Sequence, residues 1–268
     1  MSTWSGKWAL ITGASAGIGK ALAEELAAGG ANLVLTARRS DRLQALAQDL
    51  SRAHKVRVEV FAADLTQPDA PEKIFDFTRQ HAIAIDLLVN NAGFGAYGEF
   101  PTVEQRRLLE MIQVNCSAVV HLTHLFLPQM MQRRSGDVLI VASTASFQAV
   151  PYICTYAATK AFDLLFAEGL AEEMKPHAIR VCALCPGSTE SEFREVANQT
   201  SAPGSNRKQE PAAKVARVGL EALAAGRSYV ISGTKNYLGA QVQRLVPRRT
   251  VTSIAAKLFR PAVLPPTR

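Results

Sequence analysis

Three side chains near the middle of the sequence bring together an alcohol, a phenol and an amine: Ser143, Tyr156 and Lys160. If residues 155–175 are helical, Tyr156 and Lys160 stand at i and i+4, one turn apart on one face. A phenol beside an ammonium is an acid–base device. Free tyrosine titrates near ~10 and lysine slightly higher, so at neutral pH the cation favours the phenolate. Lowering the phenol by ~3 units takes about 4 kcal/mol of differential interaction. A poorly solvated ammonium, helped by a second cation bound nearby, can supply it. The spacing alone is common on solvated helices, so the elements around it decide its meaning.

Strand-like and helix-like patterns alternate along the chain, with no repeat and no Gly/Ser linker. Strand-like stretches at 7–12, 32–36, 56–61, 85–89, 137–141, 179–184 and 229–231 predict seven strands. Helical periodicity is expected over 18–28, 41–52, 71–81, 155–175 and 211–224, with two separate helices at 102–112 and 115–133. Strands without polar alternation, separated by helices, imply a parallel sheet covered on both faces. The fold class is therefore α/β: a single-domain, doubly wound, Rossmann-like parallel sheet with chemistry at the strand C-terminal ends.

The first strand closes on Thr12-Gly13-Ala14-Ser15-Ala16-Gly17-Ile18-Gly19 and turns into a helix. Glycines there admit positive φ and close backbone approach, and a helix N-terminus offers N–H groups to a pyrophosphate. Its position between the first strand and first helix makes the turn a strong nucleotide signal. With this turn, Asp64, Asn90-Asn91-Ala92-Gly93, Asn115, Ser143, Tyr156-x-x-x-Lys160 and Pro186-Gly187 in order, the chain resembles the short-chain dehydrogenase/reductase family from about residue 5 to residue 233. Within the family it is most similar to broad-specificity reductases that continue into a basic C-terminal tail.

The resemblance implies an oxidoreductase that interconverts a carbonyl and a secondary alcohol by direct hydride transfer, without a metal. Tyr156 would be the general acid or base, Lys160 would hold the nicotinamide ribose and favour the phenolate, and Ser143 would hydrogen-bond the substrate oxygen. Asn115 would bend its helix and hold a water that feeds protons to Lys160. Gly13, Ser15, Gly17, Ile18 and Gly19 would cradle the dinucleotide, with Asp64 and Leu65 at the adenine and Asn91, Ala92 and Gly93 forming a wall. Pro186, Gly187, Thr189 and Ser191 would meet the nicotinamide end. The rival reading is a dinucleotide-sensing protein on the same fold with catalysis lost.

Charge argues the cofactor. NAD sites place an acid at the end of the second strand, whereas this chain has Thr36-Ala37-Arg38-Arg39-Ser40. A guanidinium suits a 2′-phosphate, so Arg38, helped by Ser15 and Arg39, favours NADP(H) over NAD(H). Phe94, Tyr97, Phe147, Val150 and Phe193 suggest an apolar substrate pocket, and the polar stretch 197–209 a lid.

Residues 222–268 hold eight Lys and Arg and no acid, so the net charge of +7 resides in the tail. The catalytic unit is expected to span 1–233 and a basic amphipathic extension 234–268. That extension has three readings: packing on its own globule, packing across a subunit interface, or lying on an anionic membrane surface. Nucleic-acid binding is not expected, because no reading element accompanies the charge. A homodimer or homotetramer is implied by the family, through the helices at 102–133 and 155–175. No apolar run approaches the ~20 residues of a membrane span, and the early first strand leaves no signal peptide, so the cytoplasm is the expected compartment. Cys182 and Cys185 form a C-x-x-C within a strand, where i and i+3 point to opposite faces. They read as small buried residues and not as a metal or redox site.

Overall fold

The computed structural model describes residues 3–199 and 209–261. Its first half runs β1 (Trp8–Thr12), α1 (Gly17–Ala28), β2 (Asn32–Ala37), α2 (Ser40–His54), β3 (Val58–Ala62), α3 (Ala70–Gln80) and β4 (Ile85–Asn90). The second half runs α4 (Gln105–Ile112), α5 (Ala118–Arg133), β5 (Gly136–Val141), α6 (Cys154–Met174), β6 (Ile179–Cys185), α7 (Phe193–Val196), α8 (Ala212–Ala224) and β7 (Tyr229–Ile231). Two tail helices follow, α9 (Thr234–Val242) and α10 (Arg248–Phe259).

The seven strands form one parallel sheet in the order β3-β2-β1-β4-β5-β6-β7. Side chains alternate between its faces as strand geometry requires. Leu10, Val138 and Ile140 pack with Ile74, Phe126 and Leu164 of α3, α5 and α6. Ala9, Ile11, Leu139 and Val141 pack with Leu22, Leu43 and Leu220 of α1, α2 and α8. Full burial of one such leucine is worth about 1.5–3 kcal/mol. A one-residue slip would turn both sets to the wrong faces, so the register is held firmly. Cys182 and Cys185 obey the same alternation, one in each core layer. Burial pushes the Cys182 thiol up to about 12.

Winding reverses between β1 and β4, which opens a crevice at the C-terminal ends of those strands. One expectation is corrected beside it. The helices expected at 102–112 and 115–133 are a single run: α4 passes through a π-helical turn, Gln113–Ser117, directly into α5. Residues Phe100–Thr102 form only a 3-10 turn, with Pro101 at its start. A π-turn inserts one extra residue without breaking the helix, and Asn115 occupies it.

The tail also differs from a simple amphipathic pattern. Of Val251, Ile254, Ala255 and Leu258, only Ala255 is buried, while Ile254 and Leu258 remain exposed. Leu238, Val242 and Leu245 are likewise exposed. Most of the expected lid, 200–208, lies outside the described residues.

Candidate active site

Gly13 and Gly17 both have positive φ, at 66° and 54°. A Cβ on Gly13 would stand 2.9 Å from the Ala92 Cα, and one on Gly17 would stand 2.8 Å from the Ser191 Cβ. Neighbouring chain is therefore packed directly against both positions, and only glycine fits. Ala16 gives α1 no side-chain cap, so the first-turn N–H groups of this helix face the crevice without a protein anion. Thr12 ties the turn to the end of β4: its Oγ1 accepts the N–H groups of Asn91 and Ala92, each at 2.9 Å. The Asn91 Nδ2 donates back to the Thr12 carbonyl at 2.7 Å.

The loop after β5 is similarly fixed. Ser143 caps the 3-10 turn Thr144–Phe147, and its Oγ accepts the Ala145 N–H at 3.1 Å. Ser146 donates to the Lys160 carbonyl at 2.6 Å, which locks this turn onto α6. Asn115 spans the other side: its Nδ2 donates to the Phe94 carbonyl and to the Thr159 Oγ1, each at 3.0 Å, while its Oδ1 accepts the Phe94 N–H. Both amide hydrogens are taken, so the side chain clamps Phe94 and α6.

Tyr156 and Lys160 lie one turn apart on α6, as their spacing requires. Lys160 is buried, and its Nζ donates to the Val141 carbonyl at 2.7 Å and to Asp163 Oδ2 at 3.0 Å. Asp163 is 0% exposed, and its second oxygen has no hydrogen-bond partner. Burial alone would push the Lys160 ammonium down, but Asp163 and then Tyr156 outweigh it and hold its pKa above the usual lysine value. For the Tyr156 phenol burial dominates and pushes its pKa up, against Lys160 and a hydrogen bond with Ser143 that pull it down. In the bare chain burial therefore outweighs the ammonium at the phenol.

Ser143, Tyr156, Lys160 and the glycine-rich turn border one crevice of about 1340 Å³, large enough for a dinucleotide and a second molecule. Gly13, Ser15, Gly17, Ile18, Arg38, Arg39, Asp64, Leu65 and Asn91–Gly93 line it, together with Ser143, Tyr156, Lys160, Pro186, Gly187, Thr189 and Ser191. Asn115 and Gly19 sit behind that wall and shape it. A Cβ on Gly19 would fall 2.4 Å from both the Asn91 Nδ2 and the Gly13 carbonyl oxygen.

The apolar side needs correction. Phe94 and Phe193 line the crevice, but Phe147 and Val150 do not. Phe147 turns toward Tyr229, with ring centroids 6.2 Å apart, and Val150 is buried in a small cluster beside Tyr97, Tyr156 and Phe259. Their places on the wall are taken by Ile153, Leu258 and Phe259. The Tyr97 hydroxyl donates to the Phe259 carbonyl at 2.8 Å, which moors the end of α10 over this site.

A sequence profile of the short chain dehydrogenase family matches residues 7–202. This chain belongs to the short-chain dehydrogenase family. Over 188 residues it is 36% identical to the very-long-chain 3-oxoacyl-CoA reductase of Bos taurus, covering 68% of this chain and 59% of that protein. The chain therefore spans about three-fifths of that relative's length. Its fold matches a short-chain dehydrogenase from Sphingobium yanoikuyae in complex with NADPH, with a TM-score of 0.81, 29% identity, and coverage of 97% and 99% of the two chains. A bulky-bulky ketone specific alcohol dehydrogenase from Comamonas testosteroni matches with a TM-score of 0.76 and 28% identity, over 89% and 92%.

The Sphingobium yanoikuyae neighbour is described in complex with NADPH, a nicotinamide dinucleotide. The crevice fits that group: glycines admit its backbone-close approach, the uncapped start of α1 faces it, and guanidinium groups stand at its rim. Besides Ile153, Leu258 and Phe259, three polar contributors were missed by sequence reasoning. Asp163 reads as an ordinary i+3 partner of a surface lysine, and only the packing of α6 shows it to be buried. Ser146 carries no motif beyond its place near Ser143. Glu192 lies some 150 positions from the arginines it meets: its carboxylate pairs with Arg39 at 2.7 Å and Arg42 at 2.6 Å.

Proposed function

We propose that this chain is an NADPH-dependent oxidoreductase that interconverts a carbonyl and a secondary alcohol, with Tyr156 as general acid in reduction and general base in oxidation. The observation that carries this reading is the meeting of Ser143, Tyr156 and Lys160 with the glycine-rich turn around one crevice. NADPH, when bound, supplies the hydride. Tyr156 hands its phenolic proton to the carbonyl oxygen, and the burial that keeps the phenol protonated supports the acid role. Ser143 steadies the same oxygen as charge develops; its Oγ already accepts from Ala145, so its own proton is the one left to give. Lys160 uses two N–H groups within the protein, leaving a third for the ribose.

Residues 1–233 form the dinucleotide-binding and catalytic unit, and 234–268 an extension that roofs the substrate end through Phe259. Arg38 and Arg39, with no acid at the end of β2, favour NADPH over NADH, and the NADPH-bound structural neighbour supports that preference. Phe94, Ile153, Phe193, Leu258 and Phe259 suit a ketone on an extended apolar body. Leu109, Ile112 and Val120 on the α4–α5 run and Phe162 and Leu165 on α6 are exposed, which supports pairing of these faces between two copies of the chain.

The test is NADPH consumption by the purified chain against aliphatic, aromatic and steroid ketones and a 3-oxoacyl thioester. Turnover with the bulkier apolar ketones is expected. NADPH binding with no turnover on any of them contradicts the proposal and favours the sensor. Arg38→Ala and Arg39→Ala should each weaken NADPH relative to NADH; an unchanged ratio in both removes the NADP assignment.

A further inference from the structure

Arg39 is already occupied. Its Nε and Nη2 donate to the Ser15 hydroxyl at 3.3 and 3.0 Å, and its Nη1 to Glu192 Oε2 at 2.7 Å. The other carboxylate oxygen of Glu192 takes Arg42 Nη1 at 2.6 Å. A chain carboxylate therefore sits on the guanidinium that stands beside Ser15 at the nucleotide end of the crevice. Arg38, at the same rim, is exposed and engages no carboxylate among the described residues.

We propose that Glu192 is an exchangeable substitute for the 2′-phosphate of the cofactor: it holds Arg39 and Arg42 until a nucleotide carrying that phosphate takes the guanidiniums and releases the start of α7. This rests on the NADPH reading and adds to it a residue that sets the discrimination. The exchange is favoured in one direction. A phosphate monoester brings about −1.5 to −2 charges and three acceptor oxygens, against one charge and two oxygens on Glu192. The incumbent pair is also easily parted, because Arg39, Arg42 and Glu192 have side chains 39%, 47% and 38% exposed. A nucleotide without the phosphate has nothing to offer the arginines and leaves Glu192 in place.

Release at Glu192 reaches the substrate side through one peptide bond. Phe193 follows it, with its ring centroid 5.0 Å from that of Tyr156. The far end of α7 is tethered independently, since Arg107 donates to the Val196 carbonyl and the Tyr97 N–H to the Ala197 carbonyl at 3.0 Å. With Glu192 released, the first turn of α7 still donates from Arg194 to the Ser188 hydroxyl at 2.7 Å, so α7 shifts between that tether and its held end, where Phe193 packs on Tyr156. NADPH thus clears the substrate face, and NADH does not.

Calorimetric titration of the full chain and of Glu192→Gln with 2′,5′-ADP and with 5′-AMP tests this without turnover. The glutamine variant should bind 2′,5′-ADP about 3- to 10-fold tighter, the scale of an exposed ion pair, and 5′-AMP with less than about a 2-fold change. In the unaltered chain, amide exchange over 192–199 should quicken with 2′,5′-ADP and not with 5′-AMP. Preference for 2′,5′-ADP that survives in Glu192→Gln at an unmoved ratio overturns the exchange and leaves the NADPH reading standing. Equal affinity for the two nucleotides in both proteins overturns both. Unchanged amide exchange with 2′,5′-ADP overturns the shift of α7.

Discussion

Two carboxylates, Asp163 and Glu192, hold cations that line the crevice, Lys160 and Arg39. At the nicotinamide end Lys160 meets Asp163 inside α6, with side chains 6% and 0% exposed. At the adenosine end Arg39 and Arg42, at the start of α2, meet Glu192 from a distant part of the chain, with every side chain more than a third exposed. The deep pair has no solvent to replace either partner, so separating it leaves a bare charge in the core. The shallow pair competes with water and salt at all times. One carboxylate is a permanent counter-ion, and the other a replaceable one.

The sharpest way to break this comparison is to remove each carboxylate in turn. Asp163→Asn should lower unfolding stability by about 3–5 kcal/mol, the scale for leaving one member of a buried pair alone, read as a lower urea midpoint. Glu192→Gln should move that midpoint no more than an ordinary surface substitution. Similar midpoints for the two variants would dissolve the distinction.

A smaller effect concerns pH. Asp163 is one of the influences that hold the Tyr156 phenol up, after burial. For carbonyl reduction, kcat/KM should therefore stay level through neutral pH and fall only as pH rises past the usual tyrosine value near ~10. In Asp163→Asn the alkaline fall should begin at lower pH; a fall that stays put means the carboxylate is not felt at the phenol.

The smallest effects distinguish the pairs by opposite signs. The Lys160 pKa is raised in the folded chain, so its contribution is complete below the unfolded lysine value near ~10.4 and lost as pH climbs through the higher folded one. The Glu192 pKa is lowered, first by Arg42 and then by Arg39. Its contribution is present above the unfolded glutamate value near ~4.3 and lost as pH falls through the lower folded one. Comparing unfolding of the parent chain and Glu192→Gln across the acid range, at low and high salt, should show a slight difference that salt erases. A difference that persists in salt would make the outer pair as fixed as the inner.

The parts of this site legible in the sequence are those encoded locally. The glycine-rich turn announces itself because close backbone approach excludes every other residue, and Tyr156 and Lys160 share a face by helix period alone. The central strands read as largely apolar runs because both sheet faces are covered, whereas the edge strand β3 carries Glu59. Asp163 escaped notice because a carboxylate three residues after a lysine looks the same on a solvated helix as on one buried against a sheet. Glu192 escaped because nothing in the sequence brings it to Arg39. Phe147 and Val150 were misplaced because an aromatic or aliphatic residue near a site fills core as readily as pocket wall. The tail pattern named its apolar positions but not their exposure, since periodicity gives a face without saying what covers it.

The central claim is that the phenol beside the deep pair moves the proton. The direct test is Tyr156→Phe, assayed for NADPH binding by fluorescence and for ketone reduction in the same preparation. Binding should match the unaltered chain while turnover falls by about 10²- to 10⁴-fold. Turnover that persists in the phenylalanine variant, with the cofactor bound as before, would contradict the account.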